Sequence, residues 1–127
     1  MFEKPMTWQK LGRIATPRAD LAWNQTHMSL PTGYSRGNGI MRVYFGGRDY
    51  KNRSQIGYVD IDTNNLSKPI SFSESPVLGL GELGTFDDNG VMPCSIVVDG
   101  NELLLYYVGW NPRSTVRFSF YSGLAVS

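Results

Sequence analysis

Few residues in this sequence are of types that do chemistry. Asp87 and Asp88 stand side by side ahead of Asn89-Gly90. Neighbouring acids at a channel mouth suit proton transfer; the same Asp-Asn-Gly run also favours an Asx turn that closes a loop. His27 is the single histidine, so a Ser-His-Asp triad would have to use it, and no Gly-x-Ser-x-Gly elbow supplies the nucleophile. It reads either as a substrate contact or as a strand-start histidine satisfied by backbone. Arg48 and Arg53 share a loop with Asp49. Their guanidinium forks suit a carboxylate or phosphate on a substrate, or they pair with acids of neighbouring loops at little gain. Among the aromatics, Trp23 and Phe86 are expected in the core, and Trp110 is the better stacking platform. Cys94 is the single cysteine, which excludes an internal disulfide and a thiolate zinc cluster. It is expected as a small buried hydrophobe on an inner strand. No His/Asp/Glu spacing makes a metal site, and no Gly-rich loop matches a phosphate-binding fingerprint. Neither metal nor cofactor is expected.

The 127 residues fit one domain, 1–127, able to bury roughly two thirds of its unfolded surface. Hydrophobic residues at 41% and charged residues at 18% predict a folded chain. A net charge of +1 with scattered signs argues against nucleic acid or an anionic membrane as the main partner. No apolar run approaches the ~20 residues that cross a bilayer. The N-terminus lacks the apolar core of a signal peptide, so the cytoplasm is the default compartment.

What must position these residues is β-structure. Short β-rich runs alternate with turn clusters, without sustained helical periodicity. Strands are expected at Gln9–Ile14, Met28–Tyr34, Ile40–Gly46, Gln55–Ile61, Ile70–Ser73, Ser95–Val98, Glu102–Val108 and Arg117–Val126. Gly, Asn and Asp at 35–39, 62–65, 87–90 and 99–101 supply the turns. The run from Gly37-Asn38 to Gly46 recurs 63 residues later from Gly100-Asn101 to Gly109, with Tyr44 on Tyr107, Trp23 on Phe86 and Trp110 on Gly47. A four-stranded repeat of about 60 residues is one propeller blade with long loops. The expectation is an all-β chain of two four-stranded antiparallel propeller blades, repeat one about 8–70 and repeat two about 71–127. Two blades cannot close a ring. Either a longer protein supplies the rest, or copies form a homo-oligomer through open blade edges.

The segment Gly81 to Pro93, with Phe86-Asp87-Asp88-Asn89-Gly90-Val91-Met92-Pro93 as its most specific part, resembles a group of glycosidase-like proteins. So do Arg42 to Asp49, Asn52 to Asp60 and Leu104 to Asn111. The group is related to the glycoside hydrolase family 43 and 32 clan of five-bladed β-propellers. The resemblance covers nearly the whole chain and corresponds to the N-terminal two fifths of such a protein. It implies a partial five-bladed-type propeller, with a pocket at one end of the central channel and a carbohydrate ligand. In family 43 three carboxyl residues, one from each of blades one to three, share the catalysis. The blade-two acid carries over to Asp88, or less well to Asp87. The blade-one position falls near Asn24-Gln25-Thr26-His27, where an amide replaces the acid and Asn24 and His27 are left as substrate contacts. The blade-three Glu has no counterpart. Inverting hydrolysis needs two carboxyl groups, so the chain alone is incomplete for catalysis. A non-catalytic carbohydrate-binding or interaction module stands beside the enzyme reading.

Overall fold

The computed structural model describes residues 5–127. Among them lie seven strands and no helix: Thr26–Gly37 (β1), Ile40–Arg48 (β2), Ser54–Asp62 (β3), Asn65–Phe72 (β4), Gly90–Asp99 (β5), Glu102–Pro112 (β6) and Phe118–Val126 (β7). Among the described residues no helix is long and apolar enough to cross a membrane.

Successive strands pair antiparallel into two meanders, β1-β2-β3-β4 and β5-β6-β7. One parallel pair, Ser54 with Gly90, joins them into an open sheet. The turns have the expected chemistry. Asn38 (φ +53°) and Gly39 (φ +74°) both adopt the left-handed conformation that a two-residue hairpin turn requires. At the β3–β4 turn the Asp62 carboxylate accepts the Asn64 N–H at 2.8 Å.

Two expected strands differ. Gln9–Ile14 forms no strand; Gly12 turns there at φ +94°, which breaks extended backbone, and its flanks are exposed. Ile70–Ser73 is no separate strand. Its residues to Phe72 end β4, which pairs with β3 as the fourth strand of the first meander. The 63-residue offset carries β1 and β2 onto β5 and β6 within a residue.

Period-two alternation on β2 and β3 gives the first meander two apolar faces. Phe45, Val59 and Ile61 pack with Trp23 on one, over the preceding loop. Trp23 stacks on Phe45 at 5.7 Å, and its indole N–H donates to the Glu74 carbonyl at 3.1 Å. Tyr44 and Ile56 on the other face meet Val91 and Leu105 of the second meander. That seam makes one folding unit of the two.

Candidate functional site

A single row of paired residues crosses six strands at one end of the sheet. Thr26 pairs with Arg48, Arg48 with Ser54, Ser54 with Gly90, Gly90 with Trp110, and Trp110 with Phe120. Asn24, His27, Arg48, Arg53, Asp87, Asp88 and Trp110 all lie on this row or within three residues of it.

At the β1 end, the strand enters irregularly. Register shifts separate Thr26, Ser29 and Thr32, and His27 (φ +65°) and Leu30 (φ +52°) sit in them. Bulges with left-handed non-glycine residues carry strain and concentrate at functional sites. His27 is exposed, its Nδ1 2.7 Å from the Thr26 hydroxyl. Asn24 is a correction. Expected as a ligand-binding amide, it is fully buried, because both ends of its amide hold backbone: Oδ1 accepts the Arg18 N–H at 2.9 Å and Nδ2 donates to the His27 carbonyl at 3.0 Å. It fixes the loop that leads into β1.

At the centre of the row, Arg48 and Trp110 come together. The Arg48 guanidinium carbon stands 5.6 Å from the centre of the Trp110 ring. Trp110 is also a correction: at 2% exposure it is no open platform. Its indole lies over Gly90, where a Cβ would overlap it, and meets Phe118 edge-on at 4.6 Å. The Arg48 Nε and the Trp110 indole N–H are buried without an acceptor. Arg53, by contrast, is taken up by its own loop. Its Nε donates to the Asp49 carboxylate at 2.9 Å, and the other Asp49 oxygen accepts the backbone N–H groups of Lys51 and Arg53. This loop is a closed Asx-type turn around a buried acid.

The segment before β5 folds back over the end of β6. The Asn89 N–H donates to the Trp110 carbonyl at 3.3 Å, and the Asn111 amide donates to the Thr85 carbonyl at 3.2 Å. Asp87 and Asp88 are half-buried within it. The Asp87 carboxylate accepts from the Tyr107 hydroxyl and the Thr85 hydroxyl, each at 3.0 Å. The Asp88 carboxylate accepts the Gly84 N–H at 2.9 Å. Burial, and then the adjacent Asp87 carboxylate, push the Tyr107 hydroxyl above the ordinary tyrosine range. Phe86 stacks on Tyr107 at 6.1 Å.

Two features escaped the sequence reading. Tyr107, marked in the sequence only as the repeat partner of Tyr44, anchors Asp87. Asp60 is the second. Only 4% exposed, it accepts from Arg42 at 2.8 and 2.9 Å, from Arg36 at 3.1 Å and from Ser71 at 3.0 Å, far along the strands from the row. The Arg42 hydrogen bonds hold its carboxyl below the usual carboxylate range. Asp60 and Arg42 pair across β2 and β3, but nothing in their spacing marks them. Cys94, expected to be buried, is exposed: it is the extra residue at the β5 bulge between Pro93 and Ser95.

Two curated relatives, uncharacterized proteins from two strains of Mycobacterium tuberculosis, are each 43% identical to this chain over 122 residues, 96% of it. The chain spans 41% of their length. No family model matches the chain.

Proposed function

We propose that the two meanders are two blades of a β-propeller resembling those of glycoside hydrolase families 43 and 32, and that the strand ends along the Thr26–Trp110 row form a carbohydrate-binding face. The observation that carries the reading is the row itself, which gathers His27, Arg48, Asp87 and Asp88 at one end of both meanders. A ligand set at one end of several strands is the usual layout of sites in repeated β-architectures.

Within this reading the chain binds, and hydrolysis belongs to a longer protein. Asp88 is the acid placed for chemistry, tied to the loop by one backbone N–H. Asp49 is closed by Arg53 and Asn24 by backbone, so neither serves as a second group. In relatives of which this chain spans 41%, the remaining length would add blades and acids. The alternative is an oligomer of this chain; its support is that β7 pairs only with β6, and β4 only with β3.

Affinity electrophoresis against arabinan, xylan, levan and inulin tests the binding. Retardation by one or more, lost in His27→Ala, is the expected result. Unaltered mobility in all four gels ends the carbohydrate reading. For a full-length relative, the substitution equivalent to Asp88→Asn is expected to abolish turnover of aryl glycosides with folding intact.

A further inference from the structure

We propose that the cleft between the two meanders, toward the far end of β2 from the Thr26–Trp110 row, binds a medium-chain aliphatic carboxylate with its head on Arg42 and Tyr44. The site lies apart from the carbohydrate face and does not rest on that reading. Arg42 is six residues along β2 from Arg48, about 20 Å of extended strand.

Next to the packed seam of Tyr44 and Leu105 the meanders part around a cleft of about 310 Å³. Leu78 after β4, Ile96 on β5, Leu103 and Leu105 on β6 and Ala125 on β7 give it apolar walls. Protein interiors leave few voids larger than a water molecule, and this one has the size of a small ligand pocket.

Arg42 and Tyr44, on one face of β2, supply its polar end. Asp60 takes the Nε and Nη2 of Arg42 and leaves Nη1 over. The Tyr58 ring, its centre 3.6 Å from the guanidinium carbon, holds the fork in place. The Tyr44 hydroxyl stands within hydrogen-bond reach of Arg42, so one carboxylate can meet both. Burial pushes that hydroxyl above the ordinary tyrosine range, against the pull of Arg42, and keeps it a donor. The Tyr107 hydroxyl has Asp87 as its acceptor, whereas that of Tyr44 has none among the described residues.

Charge and walls together select the ligand. Arg36 and Arg42 share the one carboxylate of Asp60, which leaves the cluster a positive charge in excess. A carboxylate accepts from both donors and answers that charge; a hydroxyl does not. Walls of Leu, Ile and Ala offer only apolar contact, so a hydrocarbon tail suits them and the hydroxyls of a sugar ring would go unpaired.

The test is titration of the ¹⁵N-labelled 127-residue chain with octanoate, hexanoate, acetate and octanol. The Leu105 and Ala125 amides, paired across β6 and β7, report on the cleft. Octanoate should shift both saturably, hexanoate should bind about fivefold more weakly for its two missing methylenes, and acetate should not bind. Octanol should bind about tenfold more weakly than octanoate. Ala125→Phe, which fills the cleft, should abolish the Leu105 shift, and Tyr44→Phe should weaken binding about threefold or more. Lys68→Gln on β4 should change it by under about twofold. The ligand series needs only the parent chain, so it decides even where a variant fails to fold. No saturable shift with octanoate, equal affinity for octanol, or undiminished binding in folded Ala125→Phe or Tyr44→Phe overturns the proposal.

Discussion

The Arg48 guanidinium rests against the Trp110 indole, 5.6 Å from the ring centre, and so ties the end of β2 to the end of β6. The contact is possible because Gly90, the partner of Trp110 on β5, has no side chain. Gly90→Ala forces the indole off its seat and should destabilise the fold by about 1–3 kcal/mol. A urea midpoint equal to that of the parent would contradict this.

Asp60 predicts acid sensitivity. Its carboxyl is held below the usual range by Arg42 first and Ser71 next. The stability it contributes is therefore present above the unfolded value of about 3.9 and is lost as pH falls through the lower folded value. Asp60→Asn leaves Arg42 without its counter-charge and should cost about 2 kcal/mol or more at pH 7. Urea unfolding at pH 7, 5 and 3 reads the effect. A deficit that fails to shrink toward pH 3 would show that the carboxylate is not its source.

Tyr107→Phe removes the hydroxyl that donates to Asp87, at a cost of about 1 kcal/mol. The Gly81 N–H, bonded to the Asp87 carbonyl, should then exchange faster with solvent. The parent Tyr107 hydroxyl sits above the ordinary range, so its share of stability holds below an unfolded value of about 10 and falls as pH rises through the higher folded one. Equal exchange at Gly81 in the two proteins would detach the loop from Tyr107.

Asn38 holds φ +53° in the β1–β2 turn. Alanine there should cost about 1 kcal/mol, since a Cβ without an amide tolerates the left-handed region poorly. Thermal melts of the parent and Asn38→Ala decide it; coincident midpoints would exclude the strain.

The hairpins were legible in the sequence because their turns carry Asn-Gly and Asp-Gly signals and their strands alternate. Strand ends were less so: β5 begins five residues before Ser95, since pairing with Trp110 and Gly109 extends it through Gly90. Gln9–Ile14 has strand-like residue types and lacks a neighbour to pair with. At the site, residue types picked out Arg48 and Trp110 separately. Their contact depends on the Ser54–Gly90 pair between meanders, which no local pattern encodes. Asn24 was misread for a related reason. Its amide satisfies backbone on both sides, and amide chemistry alone does not tell that from ligand binding.

The seam of Tyr44 and Ile56 against Val91 and Leu105 also sets an order of events during synthesis. The first meander leaves the ribosome with its own hairpins complete and this face bare. At ~5–20 residues per second, β5 and β6 follow seconds later. For that interval the nascent chain displays a wet apolar patch that chaperones recognise, and crowding of polysomes becomes the hazard that the second meander removes.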